Sequence, residues 1–222
     1  TMVRADLLQA AGMTLPESPT WEQVRAIAAK LHNPAKGVYG ICLRGRPGWG
    51  ENMALITPMV NTFGGQWFGM DWRPRLNTFA WKEAVGFYVD LLRKYGPPSA
   101  ASNGFNENLD LFKAGKCAVW VAATIAASLL GDVRQSKVAG TVAFAQAPIA
   151  LTIKGSHWLW AWALAIPASS SKAAAAQRFI AWATSKDYIQ LVASHEGWNA
   201  VPSGTRQSTY DRPEFMNANP AA

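Results

Sequence analysis

A chain of 222 residues, half of them hydrophobic and 16% charged, is long enough for one or two globular domains and too apolar for intrinsic disorder. It contains no run of about 18 apolar residues, so the sequence predicts no membrane-spanning helix. The formal net charge of +7 is scattered along the chain rather than gathered in a basic block, which argues against nucleic-acid binding.

Helical and strand-like segments alternate through the first half of the chain. The first residues read as a helical turn with no strand and no signal peptide ahead of it, so we expect a piece of a longer protein. Thr20 and Gln23 form a capping-box pattern that starts a helix. The apolar runs VYGICL and CAVWVAA are typical of buried strands. Further helices are predicted after Glu51, after Thr78 and before Gly115.

The second half continues this alternation and carries an unusual aromatic pattern. A two-turn helix is expected in TIAASLLGD, strands in TVAFAQAP and WLWAWALAIP, and helices opened by Ser in SSSKAAAAQRFIAWATS and SKDYIQLVASHEG. Trp158, Trp160 and Trp162 take alternate positions, so a strand would place three indole rings on one face. Short strands that alternate with helices predict an α/β fold.

The residue patterns favour neither a metal site nor an enzyme. The three histidines lie far apart, and no CxxC pair, HExxH motif, phosphate-binding glycine loop or GxSxG motif occurs. We therefore expect no catalytic residue, no metal and no cofactor. One alternative stays open, because Glu51 and Glu107 could form the carboxylate pair of a glycosidase.

Cysteine and several tryptophans have a structural interpretation. Cys42 and Cys117 lie in apolar runs and fit no metal spacing, so each is interpreted as a buried thiol, with a disulfide left open. Trp67 and Trp72, in the loop QWFGMDW, are left open as lid or core residues. Four tryptophans have the spacing of core residues and are expected to be buried: Trp21, Trp81, Trp162 and Trp182.

Aromatic and polar side chains concentrated in loops suggest a binding site. Sugars and polyols have apolar CH faces, on which indoles stack, and hydroxyl rims, which Asn, Arg and carboxylates bind. Small-molecule sites commonly combine apolar walls with a few polar groups in this way. The candidate ligand-binding residues are Arg44, Trp49, Glu51, Asn106, Trp120, Trp158, Trp160 and Trp198.

Several of these candidates also have a purely structural alternative. Arg44 could be a solvated loop charge, Glu51 could only complement a helix dipole, and Asn106 could only cap a helix. The platform of alternate tryptophans could be covered by a helix. Trp49 is different, because it stands between two glycines in a loop where neither helix nor strand packing accounts for it.

Five segments of the chain resemble a known family. They are MVRADLLQAAGMTLPESPTWEQV, GVYGICLRGRPGWGENMA, NGFNENLDLFKAGKCAVWV, GSHWLWAWALAIP and ATSKDYIQLVASHEGWNAVPSGTR. Together they are similar to the extracellular solute-binding components of bacterial ABC transporters, and most of all to the sorbitol/mannitol (polyol) branch. LRGRPGWGEN and the WLWAW segment are the parts most specific to that branch.

The resemblance implies a type II periplasmic-binding-protein fold in which two lobes close on a ligand and then dock on a membrane permease. Residues 1–150 would form the second lobe, and residues 151–222 would form the hinge crossover and the late-sequence part of the first lobe. The implied ligand is a polyol or sugar, the implied partners are the permease subunits, and the implied location is the periplasm or another extracytoplasmic space. The isolated chain could also self-associate through exposed strand edges.

One departure from the family pattern concerns the ligand. Relatives often carry WIDAT where this chain has WVAAT, so Ala122 stands in place of an Asp that could accept a hydroxyl hydrogen bond. The ligand would then differ, or another group would compensate. A glycosidase and a lectin-like interaction module remain the alternatives to the transport function.

Overall fold

The chain divides into two compact units in the computed structural model, which describes residues 1–202 and 206–219. Unit 1 comprises Thr1–Ala126 and Leu130–Trp158, and unit 2 comprises Ala127–Leu129 and Leu159–Ala222. Residues 203–205, near the end of the family-like segment ATSKDYIQLVASHEGWNAVPSGTR, lie outside the described residues.

A four-stranded mixed sheet forms the centre of unit 1. Its strands are β1 (Met2–Arg4), β2 (Tyr39–Cys42), β3 (Cys117–Trp120) and β4 (Val142–Phe144), in the order β2-β3-β1-β4. β2 runs parallel to β3, whereas β1 is antiparallel to both β3 and β4. The expectation that no strand precedes the first helix is wrong. Three residues are too few to show the two-residue periodicity of a strand, although Met2 and Val3 are buried.

Helices pack around this sheet, which confirms the α/β prediction. In unit 1 and at its border they are α1 (Ala5–Ala10), α2 (Trp21–Leu31), α3 (Met53–Thr62), α4 (Phe79–Tyr95), α5 (Phe105–Lys113) and α6 (Ala126–Gly131). The capping box is confirmed, since Thr20 Oγ1 accepts from Gln23 N at 3.1 Å and Thr20 N donates to Gln23 Oε1 at 2.8 Å. The predicted apolar face of α2 is buried, Trp21 included.

The core of unit 1 forms two clusters. The larger one joins α2, α3 and α4 to the sheet, and it includes Trp81, as predicted. The smaller one collects Phe112, Trp120 and Leu130 beside β3 and α5. The larger cluster fixes the helices, and the smaller one supports the amino-terminal end of α5, where candidate site residues lie.

A disulfide bond joins Cys42 of β2 to Cys117 of β3. Both residues are fully buried, as predicted, but the interpretation as free thiols is wrong. The sequence shows no reason for the pairing because 75 residues separate the two cysteines. They approach each other only when β2 and β3 become parallel neighbours in the sheet.

Unit 2 is mainly helical, with α7 (Ala173–Ala183), α8 (Lys186–Glu196), α9 (Gln207–Tyr210) and α10 (Pro213–Ala218). Ser185 caps α8 as predicted, since its Oγ accepts from Tyr188 N at 3.1 Å. Lys172, rather than a serine, precedes α7, and its side chain makes no cap hydrogen bond. The small core of unit 2 contains Ala193, Val201 and Phe215.

Three predictions for the second half of the chain are wrong. The segment WLWAWALAIP has no strand assignment and joins no sheet in the described residues. Trp162 is 82% exposed and Trp182 is 47% exposed. The core of unit 2 gathers around α8 and α10 and does not reach either ring.

Two further properties bear on the function classes considered. Within residues 1–202 and 206–219, no helix has the length and apolar character needed to cross a bilayer. Over the same residues, no group of three or more His, Cys, Asp or Glu side chains is arranged to hold a metal ion.

Candidate ligand-binding site

The loop between β2 and α3 is fixed against the segment that leads into α5. Gly45 N and Arg46 N both donate to Asn103 O at 3.0 Å, and Arg46 Nε donates to Ser102 O at 3.0 Å. Asn103 is itself buried and bonds through Nδ2 to Asn108 Oδ1 at 3.2 Å. Two segments that are distant in sequence thus form one rigid surface in unit 1.

Glu51 lies at the centre of this surface with only 7% of its area exposed. Its Oε2 accepts from Arg44 Nη1 at 3.3 Å and from Phe105 N at 3.1 Å. Its Oε1 faces Gly104 so closely that a Cβ on residue 104 would lie 2.6 Å away. The carboxylate therefore ties the β2–α3 loop to the start of α5, where unpaired backbone N–H groups favour negative charge.

Arg44 is held on several sides but keeps donors for a ligand. Its guanidinium carbon lies 5.0 Å from the centre of the Phe105 ring, and Tyr88 Oη donates to its carbonyl oxygen at 2.6 Å. Burial lowers the pKa of the Arg44 guanidinium, and the charge of Glu51 opposes this shift. Burial also raises the pKa of Tyr88 to about 12. Glu51 takes one of the five N–H donors, so others can meet hydroxyl groups.

A second ion pair, between Arg46 and Glu107, borders the first. Glu107 Oε2 accepts from Gly104 N at 2.9 Å, which caps α5. The pKa of the Glu107 carboxyl is held below its usual value. The largest cause is hydrogen bonding from the backbone N–H groups of Glu107 and Gly104, and the contact with Arg46 makes a smaller contribution. Glu51 and Glu107 are thus engaged with separate arginines and with the amino-terminal turn of α5. This structural use of both side chains gives no support to a glycosidase carboxylate pair.

Two other candidates in unit 1 lie at the border of this cluster. Trp49 is 67% exposed and stands between Gly48 and Gly50, whose positive φ angles of 132° and 119° only glycine adopts readily. This turn presents the indole outward. Asn106 is exposed on the first turn of α5, where Gly104 occupies the N-cap position, so the capping alternative for Asn106 is wrong.

Trp120 belongs to the core, because it is fully buried. Its ring lies 5.3 Å from the Phe105 ring and 5.9 Å from the Phe112 ring, measured between centroids. It offers no surface on which a ligand could stack. It instead packs against Phe105, the residue whose other contacts are the Arg44 guanidinium and the Glu51 carboxylate.

The remaining tryptophan candidates are partly exposed. Trp158 is the last residue of unit 1 and is 40% exposed. In unit 2, Trp160 is 42% exposed and packs edge-on against Trp162, with ring centroids 5.5 Å apart. Trp198, also in unit 2, has the Arg212 guanidinium 5.4 Å from its ring centre. The structure therefore brings together Arg44, Glu51 and their neighbours within unit 1.

Sequence reasoning missed the residues that hold this cluster in place. Phe105 directly precedes the candidate Asn106, and Arg46 follows the candidate Arg44 by two positions. A rule that each charged loop residue needs a partner would have drawn attention to Arg46 and Glu107. Nothing local marks Asn103 or Tyr88, because their partners lie far away in sequence.

Comparison with known proteins identifies a family and several close relatives. The family model of bacterial extracellular solute-binding proteins matches residues 1–190. A mannitol-binding protein of Pseudomonas aeruginosa is 54% identical over all 222 residues, which correspond to 51% of that protein. The chain thus spans about half the length of this relative.

Solved structures of relatives also match this chain over about half of their own length. An ABC transporter solute-binding protein of Agrobacterium vitis S4, with bound D-mannitol, is 52% identical with a TM-score of 0.96, over 99% of this chain and 52% of that one. A solute-binding protein of Agrobacterium radiobacter K84, in complex with ribitol, is 27% identical with a TM-score of 0.83, over 99% of this chain and 54% of that one.

Proposed function

The chain belongs to the bacterial extracellular solute-binding protein family, and we propose that its protein captures a polyol outside the cytoplasm and delivers it to the permease of an ABC transporter. The likeness to the D-mannitol-bound protein of Agrobacterium vitis carries this proposal, because it extends over 99% of the chain. The role of this family is transport, so binding without chemical change is the expected event. No feature of the site favours the glycosidase or the lectin-like module.

In this proposal, residues 1–150 form the second lobe, and residues 151–222 form the hinge crossover and the late-sequence part of the first lobe. The boundary between the two compact units, after Trp158, supports a crossover in this part of the chain. The ligand would bind where the two lobes of the full-length protein meet, and lobe closure would signal occupancy to the permease.

The proposed contacts divide into hydrogen-bonding and stacking groups. Arg44 donates charge-assisted hydrogen bonds to ligand hydroxyls, and Asn106 supplies a carboxamide at the rim. Exposed or partly buried indoles provide the apolar contacts, and these are Trp49, Trp158, Trp160 and Trp198. Glu51 orients Arg44, and Trp120 supports the site from the core through Phe105.

The disulfide between Cys42 and Cys117 supports a location outside the cytoplasm. Disulfides persist in oxidising compartments such as the bacterial periplasm and are rare in the reducing cytoplasm. A buried cross-link between neighbouring strands is a structural bond of the kind found in exported proteins. This supports the periplasmic or extracytoplasmic location implied by the family.

Isothermal calorimetry on the full-length protein tests the function directly. Mannitol, sorbitol and ribitol are titrated, and saturable heat with at least one of them is expected. Arg44→Lys keeps a cation beside Glu51 but removes the planar fork, so the affinity should fall about 10-fold or more. Trp49→Ala should also weaken binding. The control Trp182→Ala, which likewise removes an exposed indole, should leave the affinity unchanged. Absence of heat with every polyol would rule the proposal out.

A further inference from the structure

A second concave surface of unit 1 lies at the other end of α3 from the Arg44 and Glu51 cluster. It is a cavity of about 450 Å³ formed by the end of α3 and the hairpin that follows it. α3 contains 10 residues, so its two ends are about 15 Å apart. The cavity is therefore separate from the Arg44 and Glu51 cluster.

Aromatic side chains form the walls of this cavity. Trp67 is fixed by edge-on packing against Trp81, with ring centroids 5.0 Å apart, and Trp81 Nε1 donates to Gln66 O at 2.8 Å. The rings of Phe68 and Trp72 lie 5.8 Å apart. The floor of the cavity thus rests on the core, whereas Phe68 and Trp72 stand in solvent.

The conformation of Trp72 has a cost that its own packing does not offset. Its φ angle is 59°, and it is the only non-glycine residue with positive φ in the part of the chain that the structure describes. Bulky residues rarely adopt this conformation, which costs about 1–3 kcal/mol. Its side chain is 80% exposed, so burial of the indole gives little in return. The hairpin holds this conformation, since Trp72 N donates to Gly69 O at 2.9 Å, and it keeps the exposed indole beside the cavity.

The chemistry of the lining selects the kind of ligand. Among the described residues no charged side chain lines the cavity, and its polar side chains are the carboxamides of Asn61 and Gln66. Asn61 Nδ2 donates to Gly155 O at 3.4 Å, so Asn61 would offer its Oδ1 to a ligand. A neutral ring with one apolar face and a hydroxylated edge matches the indole walls and amide groups. Charged side chains come closest at Gly69, where a Cβ would lie 2.5 Å from Asp71 Oδ1 and 2.9 Å from Arg75 Nε. The volume is in the range of small-molecule sites.

We propose that this cavity is an accessory site for a neutral cyclic sugar, which stacks on Trp67 and Trp72 and hydrogen-bonds to Asn61 and Gln66. The site is open and its contacts are few, so binding is weak, with a Kd in the millimolar range. It is distinct from the Arg44 and Glu51 cluster. Its effect would be to hold saccharides at the surface of the protein.

Saturation-transfer NMR on the full-length protein tests this site with methyl β-D-glucopyranoside, a sugar locked in its ring form. Saturable transfer is expected from the protein to the glycoside, and it should persist when mannitol is present in excess. Loss of the signal on addition of mannitol would assign the glycoside to the polyol site and would overturn the proposal. Absence of any transfer would overturn it as well.

The variant Trp72→Gly distinguishes a loss of glycoside binding from a loss of stability. Glycine adopts a φ of 59° without strain, so the variant should unfold at an equal or higher urea concentration while losing the glycoside signal. Its heat of mannitol binding should be unchanged, so failure of the polyol proposal and failure of this one are distinguishable. Phe79→Ala, at an equally exposed residue that does not line the cavity, should keep the signal. A signal retained in Trp72→Gly would overturn the proposal.

Discussion

Removal of the Cys42–Cys117 disulfide should reduce stability by a large and calculable amount. The bond closes a loop with a sequence separation of 75 residues. In the chain-entropy relation, a loop of this length loses about 15 cal/mol/K in the unfolded state, or about 4.5 kcal/mol at 25 °C. Residual structure in the unfolded chain lowers the measured value, so we expect a loss of about 2–4.5 kcal/mol for the double variant Cys42→Ala/Cys117→Ala.

Urea unfolding followed by circular dichroism measures this loss. The single variant Cys42→Ala should be nearly as unstable as the double variant, because either change removes the whole cross-link. A reducing agent should lower the midpoint of the natural protein and leave that of the double variant unchanged. Alkylation of two thiols in the unreduced, unfolded protein, or a loss below about 1 kcal/mol, would refute the reasoning, since an intact loop constraint predicts more.

Three further changes test other parts of the fold. Gly104→Ala places a Cβ 2.6 Å from Glu51 Oε1 and should lower the free energy of unfolding by about 1–3 kcal/mol. The control Gly86→Ala, which has open space around the new atom, should raise the free energy of unfolding by up to about 1 kcal/mol. The midpoints of urea unfolding measure both changes. Because folding lowers the Glu107 pKa, its carboxylate stabilises the fold above its ordinary pKa, and this contribution is lost as the pH falls through the lowered value. Glu107→Gln should therefore be less stable than the natural protein at pH 7 but equal to it in strong acid, and a constant difference across pH would contradict this. Thr20→Ala should cost about 1 kcal/mol through loss of the capping box, measured as a shift in thermal midpoint, and an unchanged midpoint would count against it.

Local signals were sufficient for most of the helices. The capping box at Thr20, the apolar spacing in α4 and the cap at Ser185 each reside within a few residues of sequence, and the structure confirms them. The signals failed where a partner at long range decides the outcome. β1 forms because it pairs with β3 and β4, and no pattern within MVR predicts a strand there.

The candidate site shows the same division. The exposure of Trp49 is consistent with its two glycine neighbours, whose positive φ angles form a tight turn on the surface. The burial of Trp120 could not be read from its position at a strand end, because Phe105 and Phe112 come from another element. The pairing of Glu51 with Arg44 depends on how the β2–α3 loop folds back on itself.

The place of β1 between β3 and β4 also determines when unit 1 can fold. Met2 pairs with both Trp120 and Phe144, so β1 cannot complete its pairing until residues more than a hundred positions later have been synthesised. Contacts of such long sequence separation slow folding and leave apolar segments uncovered meanwhile. A chaperone that shields β1 during synthesis would therefore act until Phe144 emerges from the ribosome.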